Sequence, residues 1–215
     1  MKQIVYLDFD GTLSDCRQRL YKLFCYLTGS TKLSFTQYWQ LKCEGENQKK
    51  ILEKYFHYDK VGQKTFSEKW LYEIEQPKWL AYDTPAIGAD TFLRRLAEAG
   101  WRCVVVTNRQ SYQGVESQIL RYGWRSFITD ILFTAQKCNK EEIIHEFEQT
   151  MDIGNTVRFY IGDMQEDVRT AHRIAAKLLV IRSEAKMGIP PILAGGKIHG
   201  SFERVYREMT RSREG

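Results

Sequence analysis

IVYL at residues 4–7 runs directly into DFDG at 8–11, and this junction restricts the folds open to the chain more than any other feature. Four β-branched, aromatic and aliphatic residues without a polar interruption predict a short strand buried on both faces. Asp8 and Asp10 follow at its carboxyl end, and Gly11 allows the backbone to turn away sharply. Standing two apart, the carboxylates start from one face of the strand. Their charges repel, and burial would drive one of them to take up a proton unless a cation lay between them. Oxygen-only ligands of this kind favour magnesium over zinc.

The same design recurs down the chain. RCVVVTN at 102–108, ITDILFT at 128–134, VRFYIGD at 157–163 and AKLLVIR at 176–182 are further apolar stretches, three of them ending in polar tips. Helical patterns separate them: 90–100 ended by Gly100, 114–123 ended by Gly123, a helix opened by Asn139 with Glu142 placed for a capping box, and one from Glu166 onward. Alternating strands and helices predict an α/β fold, a Rossmann-like doubly wound parallel sheet with right-handed crossovers. Chemistry in such a sheet belongs at the carboxyl ends of the strands. The stretch 185–200, rich in glycine and proline, is expected to be a loop near the site, and only the tail from Thr210 should fray.

Residues 16–84 break the rhythm. RQRLYKLFCYL, QKKILEKYF and SEKWLYEI are helix-like with no clear strand between them, which predicts an inserted α-helical domain at 16–84 within a core of 1–15 and 85–215. The insert holds 14 of the chain's 28 aromatic residues and carries twelve Lys/Arg against eight Asp/Glu. Most of those rings should build its own small core, and the basic surplus would attract an anionic substrate.

Five cysteines without CxxC spacing indicate neither a disulfide framework nor a thiolate zinc site, and four scattered histidines lack metal-ligand spacing. Acidic residues interrupt the opening segment where a signal peptide needs an apolar run, and no stretch of about 18 apolar residues occurs, so a cytoplasmic protein with no membrane partner is expected.

DFDGTLSD at 8–15 resembles the first motif of the haloacid dehalogenase superfamily; TNR at 107–109 resembles the second, Lys137 the third and GDMQED at 162–167 the fourth. Four motifs in order carry far more weight than any one of them. The resemblance implies a magnesium-dependent phosphatase in which Asp8 is the nucleophile, forming an aspartyl-phosphate, and Asp10 the general acid/base. It implies metal ligation by Asp8, the main-chain carbonyl of Asp10 and Asp163, with Asp167 one shell out. Thr107 and Lys137 would steady the transferring phosphoryl group, with the amides after Thr107, beginning at Asn108, adding to the cradle. Lys137 is preferred to Lys140 because it lies just before the Asn139 cap, although the proline that often follows the family's lysine is replaced by Cys138. Asp15, explained equally well as a carboxylate at a helix N-terminus, and Arg109, which could touch substrate phosphate but is expected as an exposed arginine, are left outside the catalytic set.

By the same resemblance the insert is a lid that selects the substrate and excludes water. The expected substrate is a small organic phosphomonoester. A sugar phosphomutase and a nucleotide or nucleic-acid-end phosphatase are the alternatives; nucleic acid is the weaker one because the basic residues are dispersed, despite a pI of 8.9.

Overall fold

The structure, a computed structural model, describes residues 3–151, 156–181 and 197–211. These fall into two compact units, one of 3–15, 85–151, 156–181 and 197–211, the other of 16–84.

The first unit opens with β1 (Gln3–Asp8), followed by a tight turn and the two-residue β2 (Ser14–Asp15). The chain re-enters this unit at Pro85, at the end of β3 (Thr84–Pro85), where the Ala86 amide donates to the carbonyl of Leu13 at 2.8 Å. Then come α6 (Ala89–Glu98), β4 (Arg102–Thr107), α7 (Tyr112–Arg121), β5 (Asp130–Phe133), α8 (Lys140–Gln149), β6 (Val157–Gly162), α9 (Gln165–Arg173), β7 (Lys177–Ile181), β8 (Lys197–His199) and α10 (Phe202–Arg211). The helices α1 to α5 belong to the second unit.

Among the described residues the sheet order is β5-β4-β1-β6-β7-β8, and every neighbouring pair is parallel. This is the α/β sheet with a helical insert after its first strand that the alternation predicted. Lys197–His199 is a correction: the segment 185–200 was expected to be loop, yet these three residues add a strand beside β7. Residues 182–196, which hold 185–196 of that expectation and Arg182 of the expected strand 176–182, lie outside the described residues, as do 212–215; Thr210 and Arg211, expected to fray, complete α10.

Side-chain alternation on the parallel strands builds a core on each face. Val5, Leu7, Val105 and Phe159 pack with α6, α7 and α10 residues such as Phe92, Val115 and Val205. Ile4, Tyr6, Val104, Val106 and Tyr160 face the other way, against Ile144 of α8 and Ala171 of α9. Asp8 is in phase with Ile4 and Tyr6, so its side chain starts on the α8–α9 side. The register pairs Asp8 with Val106 of β4 and Leu7 with Ile161 of β6, which brings the tips of three adjacent strands level.

The second unit contains α1 (Arg17–Thr28), α2 (Phe35–Cys43), α3 (Gln48–Phe56), α4 (Lys60–Glu73) and the short α5 (Pro77–Leu80). Helix starts are set by local caps: Ser34 exchanges hydrogen bonds with Gln37, Asn47 accepts from the Lys50 amide, and Asp59 accepts from the Gly62 amide. Phe24, Tyr38, Ile51, Leu52 and Phe66 are buried together, so many of the insert's rings do build its core. Tyr26, Tyr72 and Tyr82 remain exposed. Arg19 and Asp83 form a buried ion pair at 3.0 Å, tying α1 to the end of the insert. None of the five cysteines is in a disulfide, and no helix among the described residues is long and apolar enough to cross a membrane.

Candidate active site

Asp8 ends the central strand, and its neighbours supply the rest of the site. Asp163 directly follows β6, and the turn into α9 brings Asp167 back beneath it; all three carboxylates are buried, with one oxygen from each lying within 4.8 Å of the others. Lys140, in the first turn of α8, reaches between them: its Nζ donates to Asp8 Oδ1 at 2.6 Å and to Asp167 Oδ1 at 2.8 Å.

Three carboxylates face one ammonium in a dry place. Burial, reinforced by Asp167 and Asp163 and opposed by Lys140, pushes Asp8 up to about 8. Burial would lower Lys140, but Asp8, Tyr160 and Asp167 outweigh it and hold the ammonium well above its usual range. Asp8 Oδ2 is buried with no hydrogen-bond partner. An orphaned carboxylate oxygen beside an uncompensated negative charge is costly, and a hard divalent cation offsets both defects.

Asp167 differs from the other two. Its Oδ2 accepts from the amides of Asp163 and Met164 at 3.1 and 2.9 Å, and its Oδ1 accepts from Lys140 and, at 3.1 Å, from the Tyr160 hydroxyl. Each oxygen thus has two donors, which suits a residue that orients Lys140 and the start of α9. Gly162 makes this possible, because a methyl group there would sit 2.5 Å from Cβ of Asp167. Gly162→Ala is therefore expected to cost about 1–3 kcal/mol of stability, since backbone or carboxylate must shift. Thermal unfolding in chelator and calorimetric magnesium titration should both show the loss; unchanged values for both would contradict it.

Thr107 ends β4 and is buried; its Oγ1 accepts from the Arg109 amide at 3.4 Å. The Asn108 side chain is engaged within this unit, donating to both oxygens of Glu166 at 3.0 and 2.9 Å and accepting from Thr134 at 3.1 Å. Asp10, on the turn after β1, is gripped by Arg109, whose Nε and Nη2 each donate to one carboxylate oxygen at 2.7 Å.

Two expectations are corrected here. Lys137 is exposed, because Ala135 and Gln136 take left-handed conformations after β5 and form a tight turn that carries Lys137 outward; Lys140 is the lysine at Asp8. Arg109, expected at the surface, is 4% exposed. Residues to which the sequence reading assigned no role include Thr12, whose hydroxyl donates to Asp163 Oδ1 at 3.1 Å, and Tyr160. The Lys140 signal was available in the spacing: Lys140, Ile144 and Phe147 fall on one helical stripe, and that stripe faces the sheet.

A parallel sheet with a buried carboxylate cluster and a lysine gathered at the carboxyl ends of its central strands has the architecture of an α/β enzyme. Residues 5–181 match the haloacid dehalogenase-like hydrolase family, and the chain belongs to that family. Its fold is similar to that of a Clostridium difficile protein provisionally assigned as a phosphatase, with a TM-score of 0.78 at 17% identity over 97% of this chain and 98% of that one. A haloacid dehalogenase-like hydrolase from Streptococcus pneumoniae gives 0.71 at 16% identity, covering 97% and 98%. A Thermotoga maritima protein provisionally assigned as a β-phosphoglucomutase gives 0.62 at 14%, covering 96% and 99%. No curated protein matches the sequence. The helical insert between β1 and β3 corresponds to the family's cap.

Proposed function

We propose that the protein is a magnesium-dependent phosphomonoester hydrolase that works on a small organic phosphate through an aspartyl-phosphate on Asp8. The carrying observation is the buried carboxylate cluster with Asp8 Oδ2 left without a partner at the tip of the central strand. Asp8, the main-chain carbonyl of Asp10 and Asp163 would hold the magnesium, whose charge, when bound, offsets that of the carboxylates and the phosphate.

The chain's own residues do the rest. Lys140 holds the Asp8 carboxylate by Oδ1 and so fixes its orientation for attack on phosphorus. As the ester P–O bond breaks, Asp10 supplies the proton to the leaving oxygen, and it later takes one from the water that cleaves the phosphoaspartate. Thr107, the Asn108 amide and Lys140 offer donors and positive charge to the equatorial oxygens, where charge spreads in the transition state. Substrate choice is assigned to the helical insert.

A panel of phosphomonoesters tests the reading. Phosphate release from at least one small ester, dependent on magnesium and lost in chelator, is expected; a purified, folded, magnesium-loaded protein that releases phosphate from none of a broad panel would be a different kind of hydrolase. Stimulation by a sugar bisphosphate, with return of phosphate to sugar, would move the assignment to a phosphomutase.

A further inference from the structure

The grip of Arg109 on Asp10 joins the last residue of the second motif to the first motif and is more elaborate than burial of an arginine requires. The guanidinium meets the carboxylate edge-on, two nitrogens to two oxygens, both at 2.7 Å. Its third nitrogen donates to Gln118 Oε1 on α7, and its plane lies over the Phe9 ring with the central carbon 5.0 Å from the centroid. Gln118 is itself buried and donates through Nε2 to the Tyr122 hydroxyl at 3.4 Å, which shares a hydrogen bond of 3.2 Å with Ser14 Oγ. Ser14 closes the ring: its amide donates to the Phe9 carbonyl and its carbonyl accepts from the Gly11 amide, both at 2.8 Å. The turn that bears Asp10 is thus tied to Arg109 from both ends.

The Arg109 side chain is 3% exposed while that of Asp10 is 28% exposed, so a buried cation holds a carboxylate that reaches outward. An aspartate's terminal torsion is broad and unselective when left alone. A planar fork that binds both oxygens removes that freedom, which a lysine's point charge cannot do.

We infer that Arg109, steadied by Gln118, is the positioning residue for the acid/base carboxylate of Asp10. This rests on the reading of the protein as a phosphomonoester hydrolase with Asp10 in that role. As Asp8 bonds to phosphorus and the ester P–O bond breaks, one Asp10 oxygen, turned from its guanidinium N–H to the leaving group, passes its proton to the leaving oxygen while the other stays on the guanidinium. In the second step the carboxylate takes a proton from water as water bonds to phosphorus and releases Asp8. Proton transfer of this kind depends on placement to a fraction of an ångström.

Esters that differ in their need for a proton provide the test. An alkoxide leaves only if protonated, whereas 4-nitrophenolate leaves readily without help. The quantity to compare is kcat/KM, which covers steps up to alcohol release, for 4-nitrophenyl phosphate and for the alkyl phosphate that the wild type turns over best. Arg109→Lys and Arg109→Ala are expected to lower the alkyl value about 100-fold or more, in the range that general acid catalysis supplies, and the nitrophenyl value much less. Both values come from one preparation, so their ratio does not depend on how much of a variant is folded. Asp10→Asn should shift the ratio in the same direction, the double variant should fall no further, and guanidinium ion should partly restore the ratio of Arg109→Ala. Equal loss on both esters, complete loss included, or losses that multiply in the double variant, overturn the inference. A wild type that hydrolyses neither ester overturns the hydrolase reading and the inference with it.

Discussion

Asp8→Asn is expected to lower kcat/KM for phosphomonoesters by at least about 10⁴-fold, as removal of a covalent nucleophile does in other enzymes, while the protein stays folded. The substitution is isosteric; in the metal-free protein it replaces a protonated carboxyl below about pH 8 and removes one negative charge from the carboxylate cluster above it. Lys140 keeps Asp167 as its partner at 2.8 Å, so no buried charge is orphaned. Stability in chelator should therefore be maintained or improved, and the stabilisation contributed by magnesium should shrink. The pH dependence follows from the displacement of Asp8 from 3.8 to about 8 in the folded state. Between those values the folded protein holds a proton that the unfolded chain has lost, so metal-free stability should decline as pH rises through that window, and Asp8→Asn should flatten the decline. Rapid mixing with substrate labelled at phosphorus, followed by acid quench, should leave acid-stable, alkali-labile label on the wild type and none on Asp8→Asn. A variant that keeps more than a few per cent of wild-type turnover would mean that another group attacks phosphorus.

Much of this arrangement is legible in the chain because each strand carries its functional group at its own end. IVYLD, RCVVVT and VRFYIGD each give an apolar run followed by a polar residue, and parallel pairing then has to bring those ends level. Asp8, Thr107 and Asp163 need no information beyond their own segments. The insert is legible for the same local reason, as a stretch with helical period where a strand is due.

What stayed hidden depends on contacts between segments. Whether Lys137 or Lys140 points inward turns on the left-handed Ala135 and Gln136, which have no glycine to announce them. A one-turn reading of the α8 stripe would have favoured Lys140, but the motif spacing pulled toward the position before the cap. Arg109 looks like an exposed cation in any local view; only the approach of α7, which brings Gln118, and the turn after β1, which brings Asp10, make its burial affordable. β8 was missed because three residues beside glycines carry too weak a strand pattern, and the open edge of β7 recruits them.

The lysines give the second large effect. Lys140→Ala is expected to cost about 10²–10³-fold in kcat/KM, the loss typical of a preorganised donor at developing charge, whereas Lys137→Ala should stay within about threefold. The two effects of Lys140 separate in the measurements. As the ammonium between Asp8 and Asp167 it is structural, and its removal leaves buried carboxylates uncompensated, a change that typically costs about 3–5 kcal/mol. Unfolding in chelator should show that cost, and saturating magnesium should recover part of it, because the cation takes over some of the lost neutralisation. As a donor to phosphate it is not replaceable by more metal, so the turnover of Lys140→Ala should stay low at magnesium concentrations that restore its stability. Lys140→Arg keeps the charge but places a planar fork where a 2.6 Å contact to Asp8 and a 2.8 Å contact to Asp167 are now made by a single nitrogen, and should recover stability better than rate. If Lys137→Ala proved the slower enzyme, or if magnesium returned Lys140→Ala to full turnover, Lys140 would be a structural counter-ion and the phosphate would be held by other groups.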